Sequence, residues 1–115
     1  MPRQSIIDMS FSKVFPMLVQ KAERKNRTRA EVYTVTEWLT GYTAEQIDAA
    51  LDSDMTYGVF FTEAPAYNSR AELIKGKICG VQVETIEDPL MKQIRQLDKL
   101  VDELAKGRPM EKILR

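Results

Sequence analysis

Leu90, Ile94, Leu97, Val101 and Leu104 succeed one another at steps of four, three, four and three residues. That spacing places all five on one flank of an α-helix and on no common face of a strand. Asp88 stands where its side chain can cap the first turn, and Pro89 fills the first helical position, where a missing amide matters least. Gly107 falls just past the end, and Pro109 opens a last turn over Met110 to Leu114. A long helix with one apolar flank must bury that flank, so the rest of the chain has to supply a matching interior.

The preceding segments supply it with the same period. Phe11, Val14, Phe15, Leu18, Val19 and Ala22 predict a helix from about Ser12 to Lys25, with Pro16 near its start. Thr28-Arg29-Ala30-Glu31 fits a capping box, in which each end residue satisfies the other's backbone amide. It opens a helix from Arg29 to Thr40 whose apolar face is Val32, Val35, Trp38 and Leu39, and Gly41 suits the left-handed position after its last turn. Thr43 and Gln46 form a second capping box ahead of a short helix from Ala44 to Leu51. Another short helix is expected between Asp54 and Pro65, carrying Tyr57, Val59, Phe60 and Phe61.

Asn68 to Glu87 supports two readings. Ile74, Ile78 and Val81 recur at helical spacing, whereas Cys79, Val81 and Val83 alternate as in a strand, and Gly76 and Gly80 weaken both. The helical reading is preferred, because no second strand stands elsewhere to satisfy the donors of a lone one. The expectation is an all-α, single-domain orthogonal bundle over residues 1–115, with five to seven short helices ending in one long one. Residues 1–9 are expected as a loosely ordered arm.

Composition narrows the chemistry. The 115 residues suffice for one core without staples. Lys plus Arg and Asp plus Glu both number 17, so no net charge draws the chain to nucleic acid or to an anionic membrane. A single cysteine cannot make an internal disulfide, the N-terminus lacks the apolar run of a signal peptide, and no stretch approaches the ~20 apolar residues of a membrane span. A cytoplasmic protein is expected. The sequence contains no histidine, which excludes every Ser-His, Cys-His and zinc-histidine scheme.

Several segments together carry a family resemblance. They are Met9-Ser10-Phe11, Lys21 to Lys25, Trp38-Leu39-Thr40-Gly41-Tyr42, Glu63-Ala64-Pro65, Cys79-Gly80-Val81, Glu87 to Met91 and Leu97 to Gly107. In order and spacing they resemble a family of small bacterial proteins known as domain of unknown function 2200, over about residues 9–115. The resemblance implies a mainly helical bundle and carries no activity, cofactor or catalytic residue. The family tends to have proline after the equivalent of Asn68, where this chain has Ser69, so one helix-start signal is missing from the ambiguous segment.

Candidate sites have to be weighed against plainer roles. Lys21, Arg24, Lys25, Arg27 and Arg29 form a basic cluster, diluted by Glu23 and Glu31, that can grip phosphates or a partner. A solvated turn at the negative end of the first helix explains the same residues. The two helices joined by Gly41-Tyr42 have the outline of a helix-turn-helix, but Glu45 and Asp48 in the second would face phosphate repulsion in a groove. The acidic stretch Glu45 to Asp54 suits a basic partner or the Arg24-to-Arg29 cluster of a second copy, and the Leu90-to-Leu104 stripe can serve as a homodimer seam. Tyr42, Tyr67, Cys79, Glu84 and Glu87 are candidates for a pocket or interface, while the aromatic residues from Trp38 to Tyr67 otherwise make core. Glu84, Glu87 and Asp88 do not form an alternating oxygen-ligand loop, so neither a metal nor a cofactor is expected.

The reading that follows is a small interaction or accessory module without catalysis, whose partner is another protein or a second copy. Weak nucleic-acid association through residues 21–29 is a second reading. A histidine-free enzyme using Glu63, Glu84 or Glu87, or Cys79 as nucleophile, is a third.

Overall fold

The computed structural model describes residues 6–78 and 80–115. Among them lie six α-helices: α1 Phe11–Glu23, α2 Arg29–Thr40, α3 Ala44–Leu51, α4 Tyr57–Thr62, α5 Pro89–Ala105 and α6 Met110–Ile113. The fold is all-α, ending in a long helix and a short final turn. Among the described residues no helix is long and apolar enough to cross a membrane.

Helix α5 is the centre of the packing. Ile94, Leu97, Leu100, Val101 and Leu104 are fully buried, and the helix packs against α1, α2, α4 and α6. Its start follows the sequence signals: the Asp88 carboxylate accepts from the amides of Leu90 and Met91, with Pro89 in the first position. Both capping boxes form. Thr28 accepts from the Glu31 amide while Glu31 accepts from the Thr28 amide, and Thr43 and Gln46 do the same for α3. Gly41 ends α2 at φ 81°, and a Cβ there would sit 2.7 Å from the Ala66 Cβ, so the position demands glycine on two counts.

On the other side of α1 the aromatic residues stack. Phe11 lies 4.1 Å from Phe60 and 4.9 Å from Phe15 between ring centres, and Tyr42 lies 4.3 Å from Phe60. Of the arm expected over residues 1–9, residues 1–5 lie outside the described residues. Ile6–Asp8 form a 3₁₀ turn, and Ile6, Ile7 and Met9 pack against the core. The start of α1 has no side-chain cap. Its Phe11 amide instead donates to Met55 O at 2.9 Å, and the Tyr57 amide donates to Met9 O at 2.7 Å, so two short extended pieces brace each other.

The segment from Asn68 to Glu87 corrects the preference for a helix. It contains a 3₁₀ turn at Ser69–Leu73, two-residue strands β1 (Lys77–Ile78) and β2 (Val81–Gln82), and a second 3₁₀ turn at Val83–Thr85. The strands pair antiparallel, Lys77 opposite Gln82 and Ile78 opposite Val81, with Gly80 at φ 79° in the turn. The partner that the strand reading lacked is thus four residues away in the same segment. Its single buried strand residue, Ile78, joins Ile74 and Val83 in closing the core beside α5.

Candidate functional site

The cluster at residues 21–29 is divided by the fold. The Arg27 side chain is only 14% exposed and reaches across the bundle. Its Nε and Nη2 donate to Glu31 Oε2 at 3.0 and 2.7 Å, and its Nη1 donates to the carbonyls of Leu104 and Arg108 at 3.3 and 2.8 Å. Those carbonyls lie at and just beyond the C-terminal end of α5, where a cation is favoured. Lys21 pairs with Asp102 of α5 at 3.3 Å. Arg24 and Lys25 are exposed at the turn.

Arg29 belongs to a different group. Its Nη2 donates to the Tyr33 hydroxyl at 2.7 Å, and that hydroxyl donates to Asp48 Oδ1 at 2.5 Å. Arg29 and Asp48 are themselves 3.8 Å apart. The charge match offered to a second copy is therefore made, for this pair, within one chain. Burial, then donation to Asp48, raises the Tyr33 phenol above its ordinary pKa, and the bond to Tyr33 helps hold Arg29 cationic. The trio is a fixed donor–acceptor relay linking α2 to α3.

Arg29 and Asp48 stand on the shared lip of two grooves. The larger, of about 670 Å³, runs between α1 and α3. Phe15, Pro16, Val19 and Leu51 give it an apolar floor, and Gln20, Glu23, Arg29, Asp48 and Asp52 a polar rim. The second, of about 570 Å³, continues along α2 past Tyr33, Thr34 and Glu37. Open clefts with apolar floors and a few fixed polar groups suit a ligand or a partner's side chains. The rim has three carboxylates, Glu23, Asp48 and Asp52, against one guanidinium.

The second set of candidates does not converge. The Tyr42 hydroxyl donates to Phe60 O at 2.7 Å while its ring stacks on Phe60, so this side chain ties α2 to α4. Tyr67 donates to the buried Gln96, whose amide donates to Ala71 O, and lines a small cavity of about 330 Å³ beside Lys92 and Gln93. Burial raises both phenols above the usual range. Glu84 accepts from the Gly76 amide at 3.3 Å and Glu87 is exposed. Cys79 lies outside the described residues. Among the described residues no three acidic or thiol side chains come together as a metal would require.

The sequence contained the pieces of the α1–α3 groove without their arrangement. Phe15 and Val19 read as core positions and Asp48 as part of an acidic stretch, while Arg29 and Tyr33 share a face through i,i+4 spacing. Placement of Asp48 opposite them depends on the crossing of α2 and α3, which no local pattern encodes.

Among solved structures, the crystal structure of the uncharacterized protein SP1917 is similar, with a TM-score of 0.92 at 49% sequence identity. The match covers 98% of this chain and 93% of that one. No curated protein matches the chain. Residues 5–115 match the family described as an uncharacterized protein conserved in bacteria, and the chain belongs to that family, domain of unknown function 2200.

Proposed function

We propose that this protein is a non-catalytic interaction module of the cytoplasm, and that the groove between α1 and α3 holds a short segment of a protein partner. The segment presents an apolar side chain to Phe15, Val19 and Leu51 and flanking Lys or Arg side chains to the rim. The observation that carries this reading is the union of an apolar floor with a rim of predominantly negative charge. Glu23 and Asp52 are exposed and face a basic flank without loss of an internal bond, so they give orientation and specificity at little cost to the fold. Commitment of Lys21 and Arg27 to Asp102, Glu31 and the end of α5 favours this reading over nucleic-acid association through residues 21–29.

Photo-crosslinking in cells tests it. A crosslinking amino acid at Ser12 or Gln20, both exposed on the groove, is expected to give a discrete adduct, and one at Glu111, outside the groove, is expected not to. The paired reversals Glu23→Lys and Asp52→Lys should abolish the adduct without changing the circular dichroism spectrum. An adduct at twice the chain mass would identify a second copy as the partner. The same adducts from Glu111, or adducts indifferent to charge reversal, would refute the assignment of the groove.

A further inference from the structure

Helix α1 carries two faces side by side. Ser12, Pro16, Val19 and Glu23 form its wall of the α1–α3 groove. Lys13, Met17, Gln20 and Arg24 follow at steps of four, three and four residues and make an outward stripe on the adjoining flank, Arg24 being the cap residue with helical backbone angles. All four are exposed, Met17 by 52%, although the other apolar side chains of α1 are buried or half-buried. Among the described residues Lys13 and Arg24 have no ion-pair partner, unlike Lys21, Arg27 and Arg29, and neither have Glu23 and Asp52 on the groove rim.

The order of charge along the two faces is complementary. Asp52 closes the groove at its Ser12 end, a short way before Met55, whose carbonyl accepts from the Phe11 amide at 2.9 Å. Glu23 closes the other end, beside the Arg29–Asp48 pair. Along α1 the groove therefore runs acid, apolar floor, acid, while the stripe runs cation, methionine, cation. A stripe with an apolar centre and a cation at each end is what the groove calls for in a partner.

We propose that the occupant of the groove is the outward stripe of α1 from a second copy of this chain, an inference that rests on the assignment of the groove to a protein partner. A two-fold axis parallel to α1 sets the stripe of each copy against the groove of the other at equal height, so the contact is made twice. Lys13 meets Asp52 of the second copy, Met17 enters the floor between its Val19 and Leu51, and Arg24 meets its Glu23. An antiparallel pair would instead set stripe against stripe and oppose cation to cation.

Sedimentation velocity of the purified full chain over a concentration series tests the proposal, with circular dichroism as the check on folding. The chain should pass reversibly from one to two chain masses. Met17→Glu should weaken the association at least about tenfold, because a carboxylate would have to enter the apolar floor between two acids. Lys13→Glu and Asp52→Lys, both at exposed positions, should each weaken it about tenfold, since one attraction turns to repulsion at two equivalent places. The double variant Lys13→Glu with Asp52→Lys should recover most of the loss, which no separate effect of either change on folding would do. A chain still monomeric at about 1 mM, association indifferent to Met17→Glu, or no recovery in the double variant would overturn the proposal. A monomeric chain whose groove still gives an adduct of another mass in cells would remove the second copy and leave the groove assigned to a different protein, whereas absence of any groove adduct would remove both.

Discussion

Replacing Arg27 with methionine isolates the clasp between the α1–α2 turn and the end of α5. Methionine keeps much of the apolar stem and removes the guanidinium. Two kinds of bond are lost. The carbonyls of Leu104 and Arg108, 77 and 81 residues away in sequence, lose a charged donor, and Glu31 loses its partner while keeping the Thr28 amide. A hydrogen bond to a charged group is worth about 1.5–3 kcal/mol when buried. At 14% and 29% side-chain exposure the Arg27–Glu31 pair lies towards the lower part of that range, and α5 carbonyls near the surface can recover water. The expected cost of Arg27→Met is about 2–3 kcal/mol in all, with a Tm lower by roughly 10 °C for a domain of this size. Arg27→Lys should recover about half of the loss, because an ammonium cannot fork between Glu31 and two carbonyls. Urea denaturation followed by circular dichroism measures all three proteins. A loss under about 0.5 kcal/mol for methionine, or full recovery by lysine, would mean that Arg27 is a solvated cation after all.

Glu31 extends that test to pH. Its bonds from Arg27 first, and then from the Thr28 amide, hold its carboxyl below the ordinary value of 4.5, so the folded state favours the ionised form. The associated stability is complete above the unfolded value and is lost as pH falls through the folded one, so the gap between wild type and Arg27→Met should narrow in titrations below about pH 4. Thr28→Ala removes the cap of α2 and should cost about 1 kcal/mol in the same denaturation assay. Leu97→Ala empties a fully buried site on α5 and should cost roughly 2–5 kcal/mol; a negligible loss would mean that α5 does not organise the core. Gly41→Ala and Gly80→Ala both force alanine to positive φ, but a Cβ at Gly41 also collides with Ala66 while one at Gly80 meets open space. Thermal melts should therefore show Gly80→Ala losing about 1–2 kcal/mol and Gly41→Ala clearly more.

Local signals in the sequence carried much of this fold. The boxes at Thr28 and Thr43, the Asp88-Pro89 start and the four-three stripe of α5 each depend on residues within a turn of one another, and each forms as expected. The segment from Asn68 to Glu87 failed because the helical spacing of Ile74, Ile78 and Val81 arises by chance from a tiny hairpin, whose described strand residues are exposed apart from Ile78. Two strands of two residues are below the length at which period-two alternation can be recognised. Bracing of Met9 to Phe11 against Met55 to Tyr57 escaped notice for a different reason: backbone pairing across more than 40 residues leaves no mark on side-chain pattern. Among the candidate site residues, charge type was legible and commitment was not. Arg27 and Arg24 look equivalent in a list of cations, and only the approach of α5 makes one a clasp and leaves the other exposed.

Helix α5 packs against α1, α2 and α4, and so holds the α1 wall of the α1–α3 groove in place. Native-state hydrogen exchange at a series of low urea concentrations tests that role most directly. The account predicts that amides from Ile94 to Leu104 exchange only through global unfolding, converging on the denaturation free energy, while those from Val81 to Thr85 open locally at much lower cost. Exchange of the α5 amides through openings as easy as those of Val81 to Thr85 would contradict it.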